Sequence, residues 1–152
     1  MQLWRLVKTR YAATAFDGEG ARVYGGRSNY PGTRVAYASS NSALAVLEVL
    51  VHMRAGSVLP GYSLVRVNVP AALVEEIPVS DLPTNWSVSP VPPEVQSIGD
   101  TWARSGRALA LTVPSAIVPG SFNVLINPDH PAFAELTVES IEPFSFDHRL
   151  MR

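Results

Sequence analysis

Polar and apolar positions alternate over Tyr62–Val69, where Ser63, Val65, Val67 and Val69 oppose Tyr62, Leu64, Arg66 and Asn68. That partial period of two marks a half-buried strand. Shorter apolar runs at Gln2–Leu6, Val35–Ala38, Leu109–Val113, Asn123–Ile126 and Leu136–Phe144 predict further strands. Helical signal is concentrated at Ser42–Arg54, which opens in a run of N-cap residues (Ser39, Ser40, Asn41, Ser42) and stops at Gly56, as helix ends commonly do. A shorter helix is predicted over Gly99–Ser105. Residues 78–97 hold five of the thirteen prolines without strong periodicity, and read as an ordered surface loop within one domain. Many short strands with few helices predict an α+β fold, a single domain over residues 1–152.

Composition narrows the function classes. A chain of 152 residues, 47% apolar and 16% charged, is a globular domain with a sizeable core. A net charge of −1 gives no basis for direct nucleic-acid or anionic-membrane binding. Eleven arginines accompany a single lysine, Lys8, and the planar guanidinium suits carboxylate and phosphate. The absence of cysteine excludes disulfides and thiolate chemistry. His52, His130 and His148 show no metal-ligand spacing and are read as structural. MQLWRLVKTR lacks the long apolar run of a signal peptide and no segment approaches a membrane span, so a cytoplasmic location is expected. The sequon Asn85-Trp86-Ser87 is then read as chance.

One residue breaks the apolar pattern. Residues 43–51 read ALAVLEVLV, with Glu48 as the only charge. On a helix it shares a face with Leu44, Ala45, Val51 and His52, and only His52 offers a polar contact nearby. A buried carboxylate without a partner is costly, so one is expected from elsewhere in the chain. The plainer alternative is a peripheral helix with Glu48 facing outward.

Upstream lies VYGGRSNYPGTRVAYASS, residues 23–40. Gly25-Gly26 permits positive φ or close approach to a ligand. Arg27 supplies a fork for phosphate or ribose oxygens, and Tyr37, on a predicted strand, an aromatic ring able to stack. Separately these read as a turn, a surface ion pair and core packing. Together, with Arg27, Tyr37 and Glu48 spaced 10 and 11 residues apart, they suggest a site for a small anionic ligand with a planar ring.

The string GGRSNYPGTRVAYASSNSALAVLEVLVH resembles the hallmark region of the RES domain, the toxin half of bacterial toxin–antitoxin pairs. LWRL (3–6), LPTNW (82–86), IGDTW (98–102), VPSAIVP (113–119), NVLINPDHP (123–131) and FDHRL (146–150) resemble its other blocks in order. The resemblance implies an ADP-ribosyltransferase-like fold and destruction of NAD+ as substrate, with no separate cofactor. It implies catalytic roles for Arg27, Tyr37 and Glu48: Arg27 at the pyrophosphate or nicotinamide ribose, Tyr37 on the nicotinamide ring, Glu48 at the ribose. Ser115 matches the family's serine and is assigned a substrate hydrogen bond; the plainer alternative is a bond to backbone. Arg5 matches an N-terminal arginine able to contact phosphate, the alternative being a strand-edge salt bridge; Gly26 would line the site. Asn123 would orient a ligand or satisfy a buried turn. The implied partner is an Xre-type antitoxin, with a homo-oligomer possible inside that complex and any DNA contact left to the antitoxin. The reaction alternatives are transfer of ADP-ribose to water or phosphate, transfer to a host protein, and nucleotide binding without catalysis.

Overall fold

The computed structural model describes residues 1–54, 56–57 and 61–151. The strands are β1 (Gln2–Lys8), β2 (Ala36–Ser39), β3 (Tyr62–Asn68), β4 (Val74–Glu76), β5 (Ala110–Pro114), β6 (Phe122–Ile126) and β7 (Thr137–Phe144). The helices are α1 (Glu19–Tyr24), α2 (Ser42–Leu50) and α3 (Pro93–Ser105), supplemented by short 3₁₀ turns. All seven strands form one sheet in the order β4-β5-β6-β2-β1-β3-β7, antiparallel except for the β4–β5 pair. The α+β class follows.

The pleat divides the core into two layers, since successive side chains point to opposite faces. Leu3, Ala36, Ala38, Val65, Val67, Val124 and Ile126 pack on one face under Phe16 and Phe133. Val35, Leu111 and Leu125 occupy the other face, against Trp102 of α3. Helix α2 packs over β1 and β2. Leu125 and Ile126 are fully buried, and truncating such a side chain to alanine costs about 2–5 kcal/mol.

The centre of the sheet has a seam. β1 pairs with β3 through seven positions, Gln2↔Asn68 to Lys8↔Tyr62, but with β2 only at Trp4↔Ser39. The β2 carbonyl of Tyr37 instead accepts a bond from Nη1 of Arg5. A side chain thus crosses where the two half-sheets part.

The structure corrects several boundaries. Residues 78–97 are not all loop: α3 begins at Pro93. Proline at the first helical position removes only an N–H that would lack an intrahelical partner. Val95, Gly99 and Trp102 lie buried on one face of this helix, a stripe the prolines mask. Helix α2 ends at Leu50 rather than Arg54, and the chain tightens to i→i−3 bonds at His52 and Met53. Only Leu44 and Ala45 of α2 are buried, while Leu47 and Val51 face solvent. Its apolar run belongs to a helix covered on one side. The three-residue β4 and six-residue α1 carry too little periodicity to be predicted.

Candidate active site

The partner of Glu48 comes from strand β6. Asn41 caps α2 by accepting the Leu44 N–H at 2.8 Å, which fixes the first turn and aims Glu48 across the sheet. Asn123 Nδ2 donates to Glu48 Oε1 at 2.6 Å. Ser39 Oγ, opposite Asn123 in the β2–β6 register, donates to Asn123 Oδ1 at 2.8 Å and so fixes which way the amide points. Ser115, just after β5 and 2% exposed, donates to the same Glu48 Oε1 at 3.4 Å. Its oxygen also accepts the Ile117 and Val118 N–H groups, each at 3.1 Å. With its lone pairs occupied, this hydroxyl is arranged as a donor to carboxylate rather than as a nucleophile. Among the described residues Glu48 Oε2 has no hydrogen bond, and His52 is exposed and makes no contact with the carboxylate.

The second group surrounds Arg27. α1 closes on Gly25 at φ 73°, in the left-handed region, and the chain then turns tightly, with Gly26 and Asn29 bridged. Asn29 is fully buried; its amide donates to the carbonyls of Ala21, Tyr30 and Thr33. Its Oδ1 accepts the Tyr37 hydroxyl at 2.6 Å, and that hydroxyl accepts the Ser28 N–H at 3.0 Å. A side chain at Gly26 would meet the Tyr37 hydroxyl, since a Cβ there would lie 2.6 Å from it. Burial pushes the Tyr37 phenol well above its ordinary value, so it stays a hydrogen-bond donor. Arg27 projects from this pinned loop, its Nη1 on the carbonyls of Trp86 and Val88 at 3.2 and 3.1 Å. Its Nε and Nη2 have no hydrogen bond among the described residues.

Strand β2 joins the two groups. Tyr37 and Ser39 stand two residues apart and point to the same face, that of Leu125 and Asn123. Roughly 7 Å of strand thus separates the base of the Arg27 loop from the Glu48 cluster. Arg5 is arranged differently. Its register with Val65 aligns it with Leu3 and Val7, on the opposite face from Trp4 and Ser39. Its buried Nε has no hydrogen-bond partner among the described residues; burial lowers the guanidinium pKa, opposed chiefly by the charge of Asp17. A groove of about 420 Å³ lined by Glu75, Asp81, Thr101, Trp102 and Arg107 contains none of Arg27, Tyr37 or Glu48. Among the described residues no three His, Cys, Asp or Glu side chains converge to hold a metal ion, and no helix is long and apolar enough to cross a membrane.

Sequence reasoning missed Ser39 and Asn29 as contributors. Ser39 had a legible signal, its alternation with Tyr37 on one strand face. Asn29 acts through side-chain bonds to main-chain carbonyls, a pairing that a single sequence does not display.

The chain is similar to known proteins in sequence and in fold. The family model described as "RES domain" matches residues 2–147. A curated relative from Yersinia enterocolitica, "Toxin Res", is 39% identical over 152 residues, spanning 99% of each chain. "Prs ADP-ribosylating toxin" of Sphingobium sp. is 36% identical over 154 residues, covering 98% of this chain and 96% of its own. Among solved structures, the M. tuberculosis MbcT–MbcA toxin–antitoxin complex contains a chain of similar fold. That match has a TM-score of 0.76 and 19% identity, covering 95% of this chain and 84% of that one.

Proposed function

The chain belongs to the RES domain family, and we propose that it is the toxin of a toxin–antitoxin pair that consumes NAD+. The observation that carries this reading is the half-tied carboxylate of Glu48. Asn123 and Ser115 both bind Oε1, leaving Oε2 without a protein partner among the described residues.

When the nicotinamide–ribose bond breaks, nicotinamide leaves with the bonding electron pair and is neutral. The ribose carbon becomes oxocarbenium-like and positive. A carboxylate on the ribose hydroxyls holds the sugar and stabilises that charge. At 4 Å and an effective dielectric near 20, such an attraction is worth about 4 kcal/mol. Arg27, with Nε and Nη2 unpaired among the described residues, suits the pyrophosphate, whose paired oxygens match its fork. Tyr37, its hydroxyl committed to Asn29 and Ser28, contributes its ring rather than its oxygen. Water or phosphate then bonds to the anomeric carbon. Water loses a proton to solvent and gives ADP-ribose; phosphate gives ADP-ribose 1″-phosphate.

A second reading is favoured by the name of the Sphingobium relative, an ADP-ribosylating toxin: the acceptor is a protein. Labelled NAD+ separates the two, since label stays on small products in one case and on protein in the other. The partner reading is an antitoxin, supported by the toxin–antitoxin complex of similar fold; the family resemblance suggests the Xre type. The test is chromatography of NAD+ after incubation with purified protein, with and without phosphate. Release of nicotinamide supports the reading. Intact NAD+ in both mixtures, with no label on lysate protein, would overturn it.

A further inference from the structure

The block IGDTW lies on α3, far in sequence from Arg27, and the functional reading above gives it no role. Its geometry gives it one. Gln96, Gly99 and Asp100, at helical spacing i, i+3 and i+4, share one face of α3, and the Arg27 loop rests on that face. Gln96 Nε2 donates to the carbonyls of Gly26 and Asn29 at 3.1 and 3.3 Å. Asp100, 5% exposed, accepts the Tyr30 N–H at 3.0 Å. At Gly99 the main chains touch: a Cβ built there would lie 1.8 Å from the Ser28 carbonyl oxygen. That neighbour is backbone, so any side chain at residue 99 must displace the loop or the helix.

The residues on both sides of Arg27 are therefore held by α3 and by the Tyr37 hydroxyl, through Gly26, Ser28 and Asn29. Among the described residues, Arg27 itself is gripped only by carbonyls of the segment leading into α3, Trp86 and Val88. We infer that Gln96, Gly99 and Asp100 are positioning residues for Arg27. They form a seat that sets where its guanidinium meets the anionic part of the substrate. This rests on the reading that Arg27 meets the pyrophosphate of NAD+.

The experiment has two arms. In the first, amide hydrogen exchange is followed in wild type, Gly99→Ala, Asp100→Ala and Asp100→Asn, without substrate. The expected result is faster exchange confined to residues 26–30 in Gly99→Ala and Asp100→Ala. Asp100→Asn, which keeps an oxygen for Tyr30, should stay near wild type. In the second arm, Gly99→Ala should raise KM for NAD+ by roughly tenfold or more with kcat less affected, as misplacement of a binding group predicts. In an Arg27→Ala background the same change should cost little more, because both act through one group. Should Gly99→Ala fail to fold, Gln96→Ala, which deletes only two side-chain bonds, carries both readouts. Unchanged exchange at residues 26–30, or penalties that multiply in the double variant, would overturn the inference. Failure of wild type to cleave NAD+ counts against the function instead and leaves the exchange arm decisive for the seat.

Discussion

Glu48 and Asn123 are 75 residues apart in sequence and joined by a 2.6 Å hydrogen bond between α2 and β6. The amide holds one carboxylate oxygen, and Ser39 fixes the amide. A charge that looks misplaced in an apolar helix is thus oriented by two strands of the sheet.

Removing the amide should disturb the carboxylate. A hydrogen bond to a charged group contributes about 1.5–3 kcal/mol, which corresponds to about tenfold to a hundredfold in rate if expressed in the transition state. Asn123→Ala is expected to lose that much kcat, and its melting midpoint should also fall, because the buried Ser39 hydroxyl loses its acceptor. Asn123→Asp, placing a second carboxylate against Glu48, should lose more at neutral pH. Wild-type kcat in Asn123→Ala would show that the bond does not serve the reaction.

Ser115 separates a structural from a substrate role. Its oxygen accepts two partly buried N–H groups, and leaving such donors unpaired costs up to about 1–3 kcal/mol. Ser115→Ala should therefore lower the thermal midpoint by several degrees. Activity should fall less than in Asn123→Ala, because the Ser115–Glu48 contact is the longer, at 3.4 Å. A raised KM at an unchanged midpoint would instead assign the hydroxyl to substrate.

Tyr37 gives a prediction with a pH sign. Its folded pKa is raised, by burial above all, from an ordinary value of 10.0. Above that pH the unfolded chain releases the phenolic proton while the folded chain retains it. The associated stability is therefore fully present below about pH 10 and lost as pH climbs beyond it. Wild type should lose midpoint more steeply than Tyr37→Phe in that range; parallel curves would contradict the buried donor. At neutral pH, Tyr37→Phe should be less stable, because Asn29 Oδ1 loses its donor. It should nevertheless retain far more activity than Tyr37→Ala, since the ring remains.

The sequence carries the elements of this site better than their assembly. The strands at Tyr62 and Asn123 and the cap at Asn41 were readable because alternation and N-cap chemistry are local. The contacts of Glu48 were not, because Ser115 and Asn123 lie 67 and 75 residues away and no local rule pairs them. Arg27, Tyr37 and Glu48 are proposed from residue chemistry and family resemblance. What holds Arg27 was hidden: α3 starts inside a proline-rich stretch, and the role of Gly99 is a main-chain approach that leaves no side-chain signature. Arg5 shows the opposite limit. Its residue type suits phosphate, yet register places it on the other face of the sheet, bonded to the Tyr37 carbonyl.

The most direct test of the central claim compares NAD+ cleavage by wild type and Glu48→Gln. Glutamine keeps the volume and an oxygen for Asn123, so only the charge is removed. The expected result is a folded variant with a wild-type midpoint and nicotinamide release reduced by about a hundredfold or more, the scale of losing transition-state charge stabilisation. Release at the wild-type rate by Glu48→Gln would contradict the account.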